Sequence, residues 1–144
     1  MLRDVINFTE APIYEAKFTE KCRKELEQKG VVTLHNFLTS EAVKELVREA
    51  KSQSVLAYFT NSTHNVYLTS KNEAFSPEHV LNRQLKSSKG CITTDQIPGS
   101  SKLKQLYCSD IFKKFICKVV NEAALYEYAD PLSSINVHYA GEGQ

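Results

Sequence analysis

The residues of this chain that could ligate a metal or activate a nucleophile are few and scattered. Four histidines (His35, His64, His79, His138) and four cysteines (Cys22, Cys91, Cys108, Cys117) are spread over 144 residues. Histidine metal sites commonly show in sequence as His-x-Asp/Glu or as two histidines one helical turn apart. Here Phe37, Val66, Leu81 and Ala140 stand two positions after the four histidines, and no His-x-x-x-His occurs, so no metal site is expected. No Cys-x-x-Cys pair is present either, and the cysteines read as reduced, partly buried small hydrophobes. There is no Gly-x-Ser-x-Gly turn and no cysteine beside a histidine, and Gly141-x-Gly143 leads into no helix that could cradle phosphate. Arg83, Lys86 and Lys89 form the one local basic cluster. Such clusters are commonly solvated faces; the alternative use is a short cationic strip that orients an anionic or zwitterionic ligand.

Composition narrows the class. The chain is 42% hydrophobic with net charge +1 and pI near 7.7, which gives no electrostatic footprint for nucleic acid or for an anionic membrane. No apolar run approaches the roughly 20 residues of a spanning helix, and Met1–Val5 lacks a signal-peptide core. The expectation is a cytoplasmic single domain over residues 1–144, long enough to bury a core without disulfides. Asn7-Phe8-Thr9 and Asn61-Ser62-Thr63 match the glycosylation pattern and, without a secretory signal, read as chance.

The elements that must position any site follow from periodicity and capping. Residues 1–17 are aperiodic and read as an arm or edge strand. A helix is predicted over Thr19–Lys29 from Phe18, Cys22 and Leu26, with Gly30 as its C-cap. Val31-Val32-Thr33-Leu34-His35 is β-branched and predicts a short buried strand. Thr39 is a helix N-cap with Leu38 and Val43 as a hydrophobic staple, and Val43, Leu46, Val47 and Ala50 predict the buried stripe of a covering helix. Val55–Phe59 and Asn65–Thr69 read as strands joined by the turn-rich Thr60-Asn61-Ser62-Thr63. Residues 70–82 read as a long loop of the kind that often carries function, and Gly90–Ile97 as a strand. Ser100 or Ser101 and then Ser109 cap two helices; on the second, Ile111, Phe112, Phe115, Ile116, Val119 and Val120 form a wide apolar face. Leu125–Ala129 alternates, Asp130-Pro131 turns, and Ile135, Val137 and Tyr139 then alternate with Ser134, Asn136 and His138 in a closing strand that meets a Gly-Glu-Gly turn. Helices first, then strands and helices mixed, define an α+β fold.

Taken in order, these segments resemble the N-terminal part of the non-haem Fe(II)/2-oxoglutarate-dependent oxygenases. The resemblance runs from about Gly30 to Gln144. It is carried by His64-Asn65-Val66-Tyr67-Leu68-Thr69, Ser88-Lys89-Gly90-Cys91, Asp95-Gln96-Ile97-Pro98, Tyr128-Ala129-Asp130-Pro131-Leu132 and Asn136-Val137-His138-Tyr139-Ala140-Gly141. These motifs are similar to a bacterial branch of hydroxylases that includes halogenases of free amino acids. The resemblance implies part of a double-stranded β-helix (jelly-roll, cupin-like) with helices along one sheet, using Fe(II) and 2-oxoglutarate. It also implies that the iron ligands and the basic residue for 2-oxoglutarate fall after Gln144, so that this stretch alone binds neither and is inactive. Tyr139 stands where a strand tyrosine of several relatives reaches 2-oxoglutarate. Asn136 matches half of the Asn-x-Tyr pair of dealkylating relatives, although the spacing here is Asn-x-x-Tyr. His64 and Lys89, within their motifs, are the expected contacts to an amino-acid-like substrate.

Two readings of different class follow. One is the scaffold part of an oxygenase, acting by hydroxylation ahead of halogenation. The other is a non-enzymatic interaction module on the same fold, whose open strand edges favour homodimerisation or strand addition.

Overall fold

The computed structural model describes residues 2–141. Four helices and three strands follow in the order α1 (Ala16–Lys29), α2 (Ser40–Gln53), β1 (Tyr58–His64), β2 (Leu85–Ile92), α3 (Lys102–Tyr107), α4 (Asp110–Val119) and β3 (Val137–Ala140). The fold is α+β.

The helices begin and end where side-chain chemistry sets them. Gly30, at φ 71°, closes α1 by donating its N–H to the Leu26 carbonyl, a left-handed position that costs glycine little. Thr39 caps α2 by accepting from the Ala42 N–H at 3.1 Å. Ser101 and Ser109 accept from Leu103 and Phe112 to start α3 and α4. Each oxygen satisfies one of the N–H groups that a helix start leaves without a partner.

α1 and α4 pack on each other around Cys22, Phe115 and Val119, with Phe18 and Phe115 stacked at 6.1 Å. The segment before α1 is no edge arm: Val5, Ile6, Ala11 and Ile13 are buried, and Ile6 and Leu38 form an isolated bridge. Its apolar residues lack periodicity because it crosses the core as an irregular strap. Val31–His35 likewise forms no strand. Val32 and Leu34 turn to the core while Val31 is 58% exposed, and no neighbouring strand is there to pair with it among the described residues. On α2 the buried face is rotated from the predicted stripe: Ala42 is buried, whereas Val43 and Val47 are 44% and 47% exposed. Polar docking onto α3 accounts for the rotation, since Ser101 Oγ donates to Glu49 Oε1 at 2.7 Å and Lys102 pairs with Glu45 at 3.1 Å.

The sheet is antiparallel in the order β1-β2-β3. β1 runs straight through Thr60–Thr63, the residues predicted as a turn, and Asn65–Thr69 is loop instead. The predicted strand Gly90–Ile97 is displaced toward the N-terminus; after Ile92 the chain enters a 3-10 turn over Thr94–Gln96, closed by a Thr93/Gln96 capping box. Leu125–Ala129 is not a strand, and Tyr126 and Tyr128 are exposed. The Asp130 turn does form, with its carboxylate accepting from the Leu132 N–H and the Ser133 hydroxyl, which hold its pKa below the usual carboxylate range.

Strand pairing divides the side chains into two faces. Phe59, Gly90, Ile92, Val137 and Tyr139 share the face that meets Ile97, Leu103 and Tyr107. The Phe59 ring lies over Gly90: a Cβ there would be 2.6 Å from it, so a larger residue must displace that ring. The opposite face carries Tyr58, Thr60, Ser62, His64, Lys89, Cys91 and His138 and has no helix over it among the described residues.

Candidate functional site

Where β1 leaves the sheet, two buried asparagines shape residues 65–84 into a fixed loop. Asn65 Oδ1 accepts from the N–H groups of Tyr67 and Thr69, and its Nδ2 donates to the carbonyls of Leu81 (2.8 Å) and Thr69 (2.9 Å). Asn82 does the same one turn on, accepting from the Asn72 N–H and donating to the carbonyls of Asn72, Phe75 and Ser76. Each carboxamide stands in for several missing backbone partners, so the segment is ordered without being helix or strand. The first turn holds Leu68 at φ 54°, an uncommon conformation for a non-glycine residue.

A cleft of about 710 Å³ opens beside this loop, lined by Thr63, His64, Leu68, Thr69, Lys71 and Gln84 among others. His64 is half-buried, and its Nδ1 donates to the Asn65 carbonyl at 3.0 Å. That bond fixes the ring, and Nε2 has no hydrogen-bond partner among the described residues. Lys71, paired with Glu73 at 3.3 Å, is the cation at the cleft. A half-buried imidazole, two hydroxyls and the carboxamides of Asn82 and Gln84 around an apolar leucine suit a small polar ligand with a short apolar part.

His64 is therefore placed at a cleft, and Lys89 is not. Lys89 shares the open face of the sheet but sits opposite Thr60, while His64 sits opposite Leu85. Four residue steps, about 13 Å of strand, separate them. The predicted cationic strip is not assembled: Lys86 and Lys89 project from opposite faces of β2, and Arg83 precedes it.

Tyr139 and Asn136 are not brought together either. Tyr139 faces the helices, and its hydroxyl donates to the Ala50 carbonyl at 2.5 Å, tying β3 to α2. Burial pushes its pKa up, so it stays a protonated donor. The face it shares with Ile135 and Val137 is thus the helix-covered face. Asn136 is exposed, with its carboxamide oriented to donate to the Leu132 and Ile135 carbonyls at 3.0 and 2.8 Å. In this arrangement the Tyr139 hydroxyl is engaged by the Ala50 carbonyl, and Asn136 lies on the exposed side of the chain.

The residue that sequence reasoning passed over is His138. It lies directly across from Cys91 on the open face, two residues along from the Lys89–Ala140 pair. The signal was present in the alternation Ser134, Asn136, His138. In the sequence His138 is one of four lone histidines with no metal-ligand spacing, which reads as a structural or solvated side chain. Among the described residues no group of three histidine, cysteine, aspartate or glutamate side chains converges as metal donors would, so these residues do not fit an iron centre. No helix there is long and apolar enough to cross a membrane. The fold and this cleft define an α+β protein with a one-sided sheet. Comparison with protein-family models, with curated proteins and with solved structures gives no match.

Proposed function

We propose that residues 2–141 are the helix-backed scaffold of an Fe(II)/2-oxoglutarate-dependent oxygenase of the double-stranded β-helix type, hydroxylating or, second, halogenating a small amino-acid-like molecule. The observation that carries this reading is the sidedness of the sheet. Over Phe59, Gly90, Ile92, Val137 and Tyr139 one face is apolar and meets Ile97, Leu103 and Tyr107; the other carries His64, Lys89 and His138, drawn from three strands, with no helix over it among the described residues. In such a fold helices lie outside one sheet and the reaction is enclosed on the inner side, so the open face is the wall that would meet substrate. Iron and 2-oxoglutarate would be held by residues other than those described, and no chemical step is assigned to the residues here.

Anaerobic calorimetric titration with Fe(II) in the presence of 2-oxoglutarate tests the reading. A chain extended along its reading frame past Gln144 should bind iron stoichiometrically, and residues 1–144 alone should not. Tight stoichiometric binding by residues 1–144, or none by the extended chain, overturns it. A second reading, a non-enzymatic assembly module on the same fold, is favoured by one observation, that among the described residues the outer edges of β1 and β3 pair with no further strand.

A further inference from the structure

Of the two sheet edges, β1 is the one without protection. An edge strand offers unpaired N–H and C=O groups to any other strand, and proteins blunt such edges with charge, proline, a bulge or brevity. β1 reads Tyr58-Phe59-Thr60-Asn61-Ser62-Thr63-His64, seven residues with no Lys, Arg, Asp, Glu or Pro. Its register against β2 is unbroken from Tyr58 to His64, so no bulge twists it away. The charges that could guard an edge, Lys86 and Lys89, sit on the inner strand β2, and the other edge, β3, is only four residues long. Among the described residues the β1 backbone bonds to no strand but β2.

We propose that β1 pairs with β1 of a second copy of this chain, antiparallel about a two-fold axis at Asn61, joining two three-stranded sheets into one of six strands. The axis follows from geometry. Alternate residues of an edge strand turn their backbone groups outward, so opposed residues must be of the same parity and the axis must pass through a residue. Asn61 is the residue about which all seven pair. Tyr58 then faces His64, Phe59 faces Thr63, Thr60 faces Ser62 and Asn61 faces itself. A second copy fits better than a foreign strand because β1 is uncharged: it opposes itself with no like-charge repulsion and offers no charge by which another partner could be chosen. Tyr58 and Phe59, 75% and 56% exposed, gain cross-strand neighbours on the two faces. One strand pair buries less than the roughly 800 Å² per partner of a standard stable interface, so the dimer is a weak, concentration-dependent one. The pairing does not rest on the oxygenase reading, and iron titration reports on that reading separately.

Sedimentation velocity of the 1–144 chain over a concentration series tests the pairing. The expected result is a reversible monomer–dimer equilibrium. Asn61→Lys sets two like charges against each other at the axis and should weaken the dimer about fivefold or more. Mixing Asn61→Lys with Asn61→Asp should restore association above that of either variant alone, because only a self-opposed Asn61 makes the two charges meet. Asn61 is exposed, so both variants should keep the wild-type circular dichroism and melting curve. A chain monomeric at every concentration, a dimer indifferent to Asn61→Lys, or no gain on mixing each overturns the proposal.

Discussion

In the helical region, α1 and α4 close on each other with the N-terminal strap laid across them, and Phe18, Phe115 and Phe112 stack in series beside Ile6, Cys22 and Val119. In the sheet region the buried cluster is Ile92, Ile97 and Ile135, packed against one face only, and the ring over Gly90 belongs to the half-exposed Phe59. What fixes the sheet is instead a set of polar knots. Thr94 Oγ1 donates to the Ile135 carbonyl and accepts from the Ile135 N–H, both at 2.7 Å, while Asn65 and Asn82 hold the loop and Tyr139 ties β3 to α2. Apolar packing is non-directional and adds up over area, whereas each knot depends on one side chain. The helical region should therefore fail by cavity and the sheet region by loss of a single hydrogen-bonding group.

The largest effect is expected at Phe115, 3% exposed between two other phenylalanines. Phe115→Ala should cost about 3–5 kcal/mol in chemical denaturation. A loss under about 1.5 kcal/mol, the cost of a tolerated swap, would mean the helical core is not the tighter of the two. Next is Asn65→Ala, which takes the partner from part-buried backbone groups at Tyr67, Thr69 and Leu81 and should cost about 1–3 kcal/mol. Amide exchange should rise at Tyr67 and Thr69 and stay unchanged in α1 and α4. Global acceleration in both regions would erase the distinction between them.

The same difference explains what could be read from the sequence. The helices were legible because their stop and start signals are local: Gly30, Thr39, Ser101 and Ser109 act within a few residues of themselves. The sheet was not. Thr60–Thr63 has turn composition, and it is extended only because Lys86–Lys89 lies alongside to pair with it. Val31–His35 has strand composition and is not a strand, because among the described residues no strand lies alongside to pair with it. The loop was legible as a loop, yet Asn65 and Asn82 as its centres were not, since their partners are backbone atoms up to 16 residues away. Of the candidate site, His64 could be found from its motif. The open face could not, because alternation tells which residues share a face and not which face a helix covers.

Tyr139→Phe removes one tie between the regions and should cost about 1 kcal/mol at neutral pH. Its pH dependence sharpens the point. Burial raises the Tyr139 pKa above the ordinary value near 10 and the Cys22 pKa above the ordinary thiol value, one group in each region. The unfolded chain ionises first, so stability is full below the unfolded values and is lost as pH rises through the folded ones. Wild-type stability should fall on the alkaline side, starting with Cys22 and continuing with Tyr139. In Tyr139→Phe the second part of that fall should be gone and the Cys22 part retained; an unchanged alkaline limb would show that the hydroxyl is not held in the sheet–helix seam.

The smallest effect is the most discriminating for α2. Sequence periodicity puts Val47 in the buried stripe, where replacement by lysine would bury an unpaired charge and unfold the helix from its support. The structure leaves Val47 half-exposed and turns Ala42 inward beside Leu46 and Ala50, the two stripe residues that keep the covered side, with Glu45 and Glu49 engaged at the start of α3. Val47→Lys should then change stability by no more than about 0.5 kcal/mol, because the lysine stem can lie on the surface with its ammonium in water. Ala42→Lys, at a position with no exposure at all, should be strongly destabilising in the same assay. Reversal of that order would mean that the valine stripe, and not the polar seam with α3, decides which way the helix faces.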